Sequence, residues 1–233
     1  MARDRRALII TADDYGYGRR YDEGILEAAD AGAVDAVSAM VTRGSFDPDP
    51  LIDTGVEIGL HLDLPRELSE ARRPTGTERN AAIAELREQL EAFEAAFARP
   101  AAYLDGHHHC HARPGLAAEM AHEARRRGLP VRSIHARHRR ILRRQGVPTP
   151  DRLIGRYSEE PVGALPAELQ PVVEREGRLP PGITEWMVHP GHPDPDSGSG
   201  YDQARQEDLD LLLSLCLLPG LRRARRTHSA AFG

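Results

Sequence analysis

Short apolar runs alternate with longer amphipathic ones along this chain, and that alternation predicts its elements. Ala7 to Thr11 reads as a buried strand, followed by a glycine-rich turn and a helical pattern from about Tyr21 to Ala31 that Gly32 stops. Further strands are predicted at Ala36 to Thr42, Val56 to His61, Pro130 to Ile134 and Ile183 to Val188, with short ones at Ala101 to Leu104 and near Arg222 to Thr227. The most regular helix spans about Glu78 to Ala98, where Ile83, Leu86, Leu90, Phe93 and Phe97 form one apolar stripe and Pro100 lies just past the end. Leu116 to Arg127 and about Gln203 to Leu217 are also helical in pattern, the former ending in three arginines and Gly128. Pro65 to Thr77, Arg137 to Pro150 and Pro193 to Tyr201 read as loops.

Strand and helix in alternation predict an α/β fold with a parallel sheet and helical crossovers. Six or seven such units favour a closed or nearly closed barrel over an open sheet. No period of 20 to 50 residues recurs and no Pro-, Gly- or Ser-rich tract divides the chain, so residues 1–233 read as a single domain.

Composition narrows the function. The 233 residues carry 36 Asp and Glu against 31 basic residues, every one of them Arg, for a net charge of -5. A lysine-free chain cannot use a lysine Schiff base, a P-loop lysine or a lysine base. The arginine runs at Arg137 to Arg144 and Arg222 to Arg226 lack interleaved aromatics, so nucleic acid is not an expected partner. Two scattered cysteines, Cys110 and Cys216, fit reduced thiols in a cytoplasmic protein. The apolar runs at Ala7 to Thr11 and Leu211 to Pro219 are too short for a signal core or a membrane span. No membrane partner is expected, and a homodimer stays open.

Four polar clusters fall at or just past the C-terminal ends of predicted strands, where α/β enzymes place their chemistry. They are Asp13-Asp14, His61 with Asp63, Asp105 with His107, His108, His109 and His111, and His189-Pro190-Gly191-His192. Adjacent carboxylates suit a metal ligand beside an ionised base, or one raised pKa; a helix cap or Asx-turn is the plainer reading. His61 alone reads as well as a hydrogen-bonded structural side chain. His107, His109 and His111 share one face if extended, and His107 with His111 if helical. Two imidazoles and a carboxylate bind a divalent ion and leave positions open, as a hydrolase needs.

Thr11-Ala12-Asp13-Asp14-Tyr15-Gly16 resembles the "NADDFG" opening of the YdjC-like carbohydrate deacetylases, the group that contains chitooligosaccharide deacetylase. Gly59 to Leu64 is similar to their "GLHLNL", Leu104 to His111 to their "LDSHHHVH", Val131-Arg132 to their "LR", and Thr184 to Gly191 to their "TELMCHPG". The resemblance implies an irregular, polysaccharide-deacetylase-like (β/α) barrel of about seven parallel strands, and metal-dependent hydrolysis of an acetyl group from an N-acetylated sugar. It implies Asp14, His61 and His107 as metal ligands, Asp13 as general base, His189 as general acid and Arg132 as the residue that holds Asp13. Tyr15, His109, His111 and Trp186 are then the candidates to contact a small N-acetylated carbohydrate. The implied cofactor is Mg2+ by the resemblance or Zn2+ by the nitrogen ligands.

The chain departs from the pattern at Thr11 for Asn, Asp63 for Asn, Gly106 for Ser and Pro65 for Thr. Its segment from Leu64 to Arg79 is short, and with 5% aromatics, Tyr15, Tyr17, Tyr157 and Trp186 among them, it argues against a long chitooligosaccharide. The alternatives are another metal-dependent hydrolase on the same barrel, acting on a phosphoester or a different amide, and a non-catalytic metal-binding protein.

Overall fold

The computed structural model describes residues 6–44, 46–71, 73–155, 181–197, 201–215, 225 and 227–232. Six strands form one sheet: β1 (Arg6–Tyr15), β2 (Ala36–Ala39), β3 (Glu57–Leu62), β4 (Leu104–Gly106), β5 (Arg152–Gly155) and β6 (Gly182–Val188). Their spatial order is β4-β3-β2-β1-β6-β5 and every pairing is parallel. Central β1 is buried from Ala7 to Tyr15, the expected state of a parallel strand covered on both faces.

Backbone hydrogen bonds carry the ring onward from β4 to β5. Leu104 N–H donates to the Pro130 carbonyl at 2.9 Å, and Arg132 N–H donates to the Leu104 carbonyl at 3.1 Å. Val131 N–H in turn donates to the Pro148 carbonyl at 2.9 Å, just ahead of β5. The sheet is thus a parallel half-barrel that these bonds extend toward the expected irregular, barrel-like fold. The strand predicted at Pro130 to Ile134 is reduced to a single bridge between Val131 and Leu104.

The helices are α1 (Arg19–Asp30), α2 (Asp49–Asp53), α3 (Arg66–Ser69), α4 (Gly76–Phe97), α5 (Ala117–Arg127), α6 (Ala136–Arg144), α7 (Asp202–Leu215) and α8 (His228–Phe232), with a 3-10 turn at His107–Ala112. A capping box starts α4: Glu78 N–H donates to Thr75 Oγ1, and Thr75 N–H donates to the Glu78 carboxylate. The predicted stripe then buries Leu86, Leu90, Phe93 and Phe97 in the core. At such sites each truncation to alanine costs about 2–5 kcal/mol.

Three segments differ from the sequence pattern. The predicted loop at Arg137 to Pro150 contains α6, whose entry His135 caps by accepting the His138 N–H, and which buries only His138 and Leu142. β5 was masked in the sequence by its length of four residues and its charged start. The loop at Pro65 to Thr77 holds α3. Near the predicted last strand, Arg225 makes one parallel bridge to Leu8, while residues 222–224 and 226 lie outside the described residues, as does Tyr157. Among the described residues no helix is long and apolar enough to cross a membrane.

Candidate active site

A regular strand would send Asp13 and Asp14 to opposite faces. Here the β1–β2 register shifts between Ala12 and Tyr15, and Asp14 takes a left-handed φ of 74°. Aspartate tolerates that region better than most residues, and the bulge lets both carboxylates reach the same polar cluster. Gly16 follows with φ +94°, where a Cβ would lie 2.8 Å from the Met40 carbonyl oxygen. Only glycine fits that turn.

Asp14 is the meeting point. Its Oδ1 lies 3.2 Å from His61 Nε2 and 3.0 Å from His107 Nδ1, and the three ligand atoms all fall within 4.8 Å of one another. His61 comes from β3 and His107 from the turn after β4. Neither sequence geometry for the histidine tract holds: His108 and His109 have φ of 47° and 57°, which kinks the turn. Arg205 of α7 donates from Nη2 to Asp14 Oδ2 at 2.6 Å, leaving Oδ1 to the imidazoles. Burial works against the charge on Asp14, but His107, His61 and Arg205 hold its carboxyl well below the usual range.

The donor set fits a divalent cation. His61 Nδ1 sits 2.7 Å from Asp105 Oδ1, so the tautomer that donates there turns a bare Nε2 lone pair toward the Asp14 oxygen. Burial disfavours charge on His61, yet Asp105 and Asp13 outweigh it and raise the imidazole to about 10. The spot attracts one positive charge, which a proton or a metal at Nε2 would supply. Around it four buried carboxylates, Asp13, Asp14, Asp105 and Glu185, face two buried guanidiniums, Arg132 and Arg205. A second group, Asp13, His61 and Asp105, is equally close, but both of its carboxylates are already taken by Arg132.

Arg132, 1% exposed, donates to both oxygens of Asp13 at 2.6 and 2.8 Å. It also meets Asp105 at 2.7 Å and Glu185 at 2.8 Å. Burial raises the Asp13 carboxyl, but Arg132 and His61 prevail and lower it to about 2. Ser38 and Thr11 donate to Asp105 and Glu185.

His189 follows β6, and its backbone N–H donates to Asp208 of α7 at 2.9 Å. Burial lowers its imidazole below the usual range while the charges of Asp14 and Asp13 pull the other way. His111 is fully buried, and its Nε2–H donates to the Arg132 carbonyl at 3.0 Å, which places it behind the arginine. His109 is half-buried, and burial next to Arg132 lowers it to about 4. Tyr15 and Trp186, read from sequence as substrate contacts, are 1% and 3% exposed, and Tyr15 packs edge-on against Phe46.

Sequence reasoning missed Arg205 and Glu185. A signal existed for each: Arg205 shares the α7 face of Leu209 and Leu212, and Glu185 is the one acidic residue in an apolar strand. A charge on a buried face needs a partner.

A sequence profile of the YdjC-like protein family matches residues 7–221. A human carbohydrate deacetylase is 35% identical over 148 residues, covering 52% of this chain and 46% of that protein. The chain thus spans about half the length of the human and mouse relatives it matches. A carbohydrate deacetylase of Geobacillus stearothermophilus is 29% identical over 229 residues, 89% of each chain. A candidate cellobiose-phosphate cleavage protein of Enterococcus faecalis V583 shares the fold, with a TM-score of 0.74 at 22% identity over 97% of this chain and 98% of that one.

Proposed function

The chain belongs to the YdjC-like family, and from that membership and the cluster's geometry we propose that it is a metal-dependent hydrolase that removes the acetyl group from an N-acetylated sugar. One observation carries the reading: a candidate metal triad, Asp14, His61 and His107, stands beside a second carboxylate, Asp13, that a different cation holds. A passive metal site has no use for that second carboxylate. The curated relatives named carbohydrate deacetylase support the substrate class.

A divalent ion, Mg2+ or Zn2+, bound by Asp14, His61 and His107 would polarise the acyl carbonyl and lower the pKa of water. Asp13 takes the proton that the attacking water loses. The Arg132 fork keeps it ionised and aimed, at the expense of some basicity. His189 gives a proton to the departing amine nitrogen. Burial works against the imidazolium that this step needs, and the charges of Asp14 and Asp13 favour it. Arg205 restricts Asp14 to one free oxygen. The products are acetate and the free amine.

The test is acetate release from N-acetylglucosamine and its disaccharide, before and after chelation, beside phosphate release from a model ester. Acetate release that chelation abolishes and added metal restores is expected. Phosphate without acetate would put the activity with the phosphoester hydrolases, and chelator-resistant acetate release would remove the metal.

A further inference from the structure

With Tyr15 and Trp186 buried, Tyr17 is, among the described residues, an aromatic neighbour of the cluster that keeps some exposure. It is half-buried, and its ring centroid lies 5.6 Å from that of His107. The Arg43 guanidinium carbon lies 5.0 Å from the Tyr17 ring, and Arg43 Nη2 pairs with Asp63 Oδ2 at 2.7 Å. Arg43 follows β2 and Asp63 directly follows β3, so both stand at the end of the sheet that carries the triad.

Folding alone accounts poorly for this arrangement. The two side chains are 39% and 19% exposed, a setting in which an ion pair adds little stability. Arg43 Nε is buried with no hydrogen-bond partner, an N–H donor with nothing to bond. Asp63 is nevertheless fixed with care: its N–H donates to Gln89 Oε1 at 3.0 Å, and Gln89 Nε2 donates to its carbonyl at 2.7 Å. Gln89 is fully buried on α4, so a core amide is committed to holding one loop residue in place.

We infer that Tyr17, Arg43 and Asp63 form the subsite that binds the pyranose ring of the substrate, beside the triad and separate from the groups that act on the acyl carbon. The Tyr17 ring, met by the Arg43 and Arg205 guanidinium carbons at 5.0 and 5.9 Å from its centroid, supplies the remaining aromatic surface for the C–H side of a sugar ring. A carboxylate that accepts and a guanidinium that donates suit a pair of neighbouring hydroxyls. Asp63, rather than the Asn of the family pattern, supplies the charge that anchors Arg43. The inference rests on the sugar deacetylase reading for its ligand and leaves the chemistry to other residues.

The experiment is calorimetric titration of N-acetylglucosamine disaccharide into metal-depleted protein, where no turnover interferes, with Zn2+ titrated separately. Arg43→Ala and Tyr17→Ala are expected to weaken disaccharide binding at least tenfold, and Asp63→Asn by less. Zn2+ affinity in Arg43→Ala should stay within threefold of the parent, and in turnover the loss should fall on KM more than on kcat. Disaccharide affinity within twofold of the parent in both alanine variants overturns the subsite, as does a parent that binds no disaccharide. A parent that binds the disaccharide through these residues but releases no acetate upholds the subsite and sinks the deacetylase reading instead.

Discussion

Arg132 grips Asp13 with two hydrogen bonds of 2.6 and 2.8 Å, and the same guanidinium also touches Asp105 and Glu185. One cation therefore joins β1, the end of β4 and β6. Lysine keeps the charge but not the fork. Arg132→Lys is expected to fold and to lose turnover on the order of 100-fold, because Asp13 loses its aim. Arg132→Met leaves three buried carboxylates without their partner and should lose about 3–5 kcal/mol of stability. Urea unfolding and acetate release measure the two effects; full turnover in Arg132→Lys would show that the aim of Asp13 does not matter.

Asp105 supports His61 from behind, 2.7 Å from Nδ1, as a carboxylate behind a metal-binding histidine does. Asp105→Asn keeps an acceptor for the imidazole N–H and removes the charge. Zn2+ affinity should fall about 10- to 100-fold in calorimetric titration. Unchanged affinity would mean that the Asp105 charge does not tune the metal site through His61.

The parts of this site that the sequence displays are those on strand ends. Asp13, Asp14, His61, His107 and His189 each interrupt or end an apolar run, and a run that stops at a polar residue marks both the strand and its open end. What the sequence conceals is set by distant packing. Arg205 lies 191 residues from Asp14, on a helix among other charges, and only the docking of α7 against β1's end reveals it. α6 was hidden for a related reason: its arginines outnumber its two buried residues, so its apolar stripe is too thin to read. Tyr15 and Trp186 show the converse: they lie beside motifs along the chain, and only the fold reveals that their side chains are buried.

Gly106 occupies the place of a family serine. A Cβ there would lie 2.8 Å from Cys110 Sγ and 3.0 Å from His111 Nδ1, both on buried side chains. Gly106→Ser is therefore expected to lose about 1–3 kcal/mol of stability through overpacking. Gly106→Ser with Cys110→Ala should recover part of that loss, since the nearer obstruction is gone. Equal instability of the single and double variants in urea titrations would place the strain at His111 instead.

Asp22 couples stability to pH. Its Oδ1 accepts the Gly16 N–H at 2.6 Å, but burial dominates and raises its carboxyl to about 7 from an ordinary 3.8. The folded protein therefore binds this proton more tightly than the unfolded chain does. The favourable contribution is complete below pH 3.8 and is lost as pH rises to about 7, above which the fold carries a buried charge. The ceiling on that penalty is about 4 kcal/mol. Asp22→Asn keeps the acceptor for Gly16 and cannot ionise, so it should be more stable than the parent at pH 8 by about 1–2 kcal/mol, with the advantage gone at pH 4. Urea midpoints of parent and variant at the two pH values provide the check. A parent that is the more stable of the two at pH 8 would show that the ionised Asp22 is well paired in the fold.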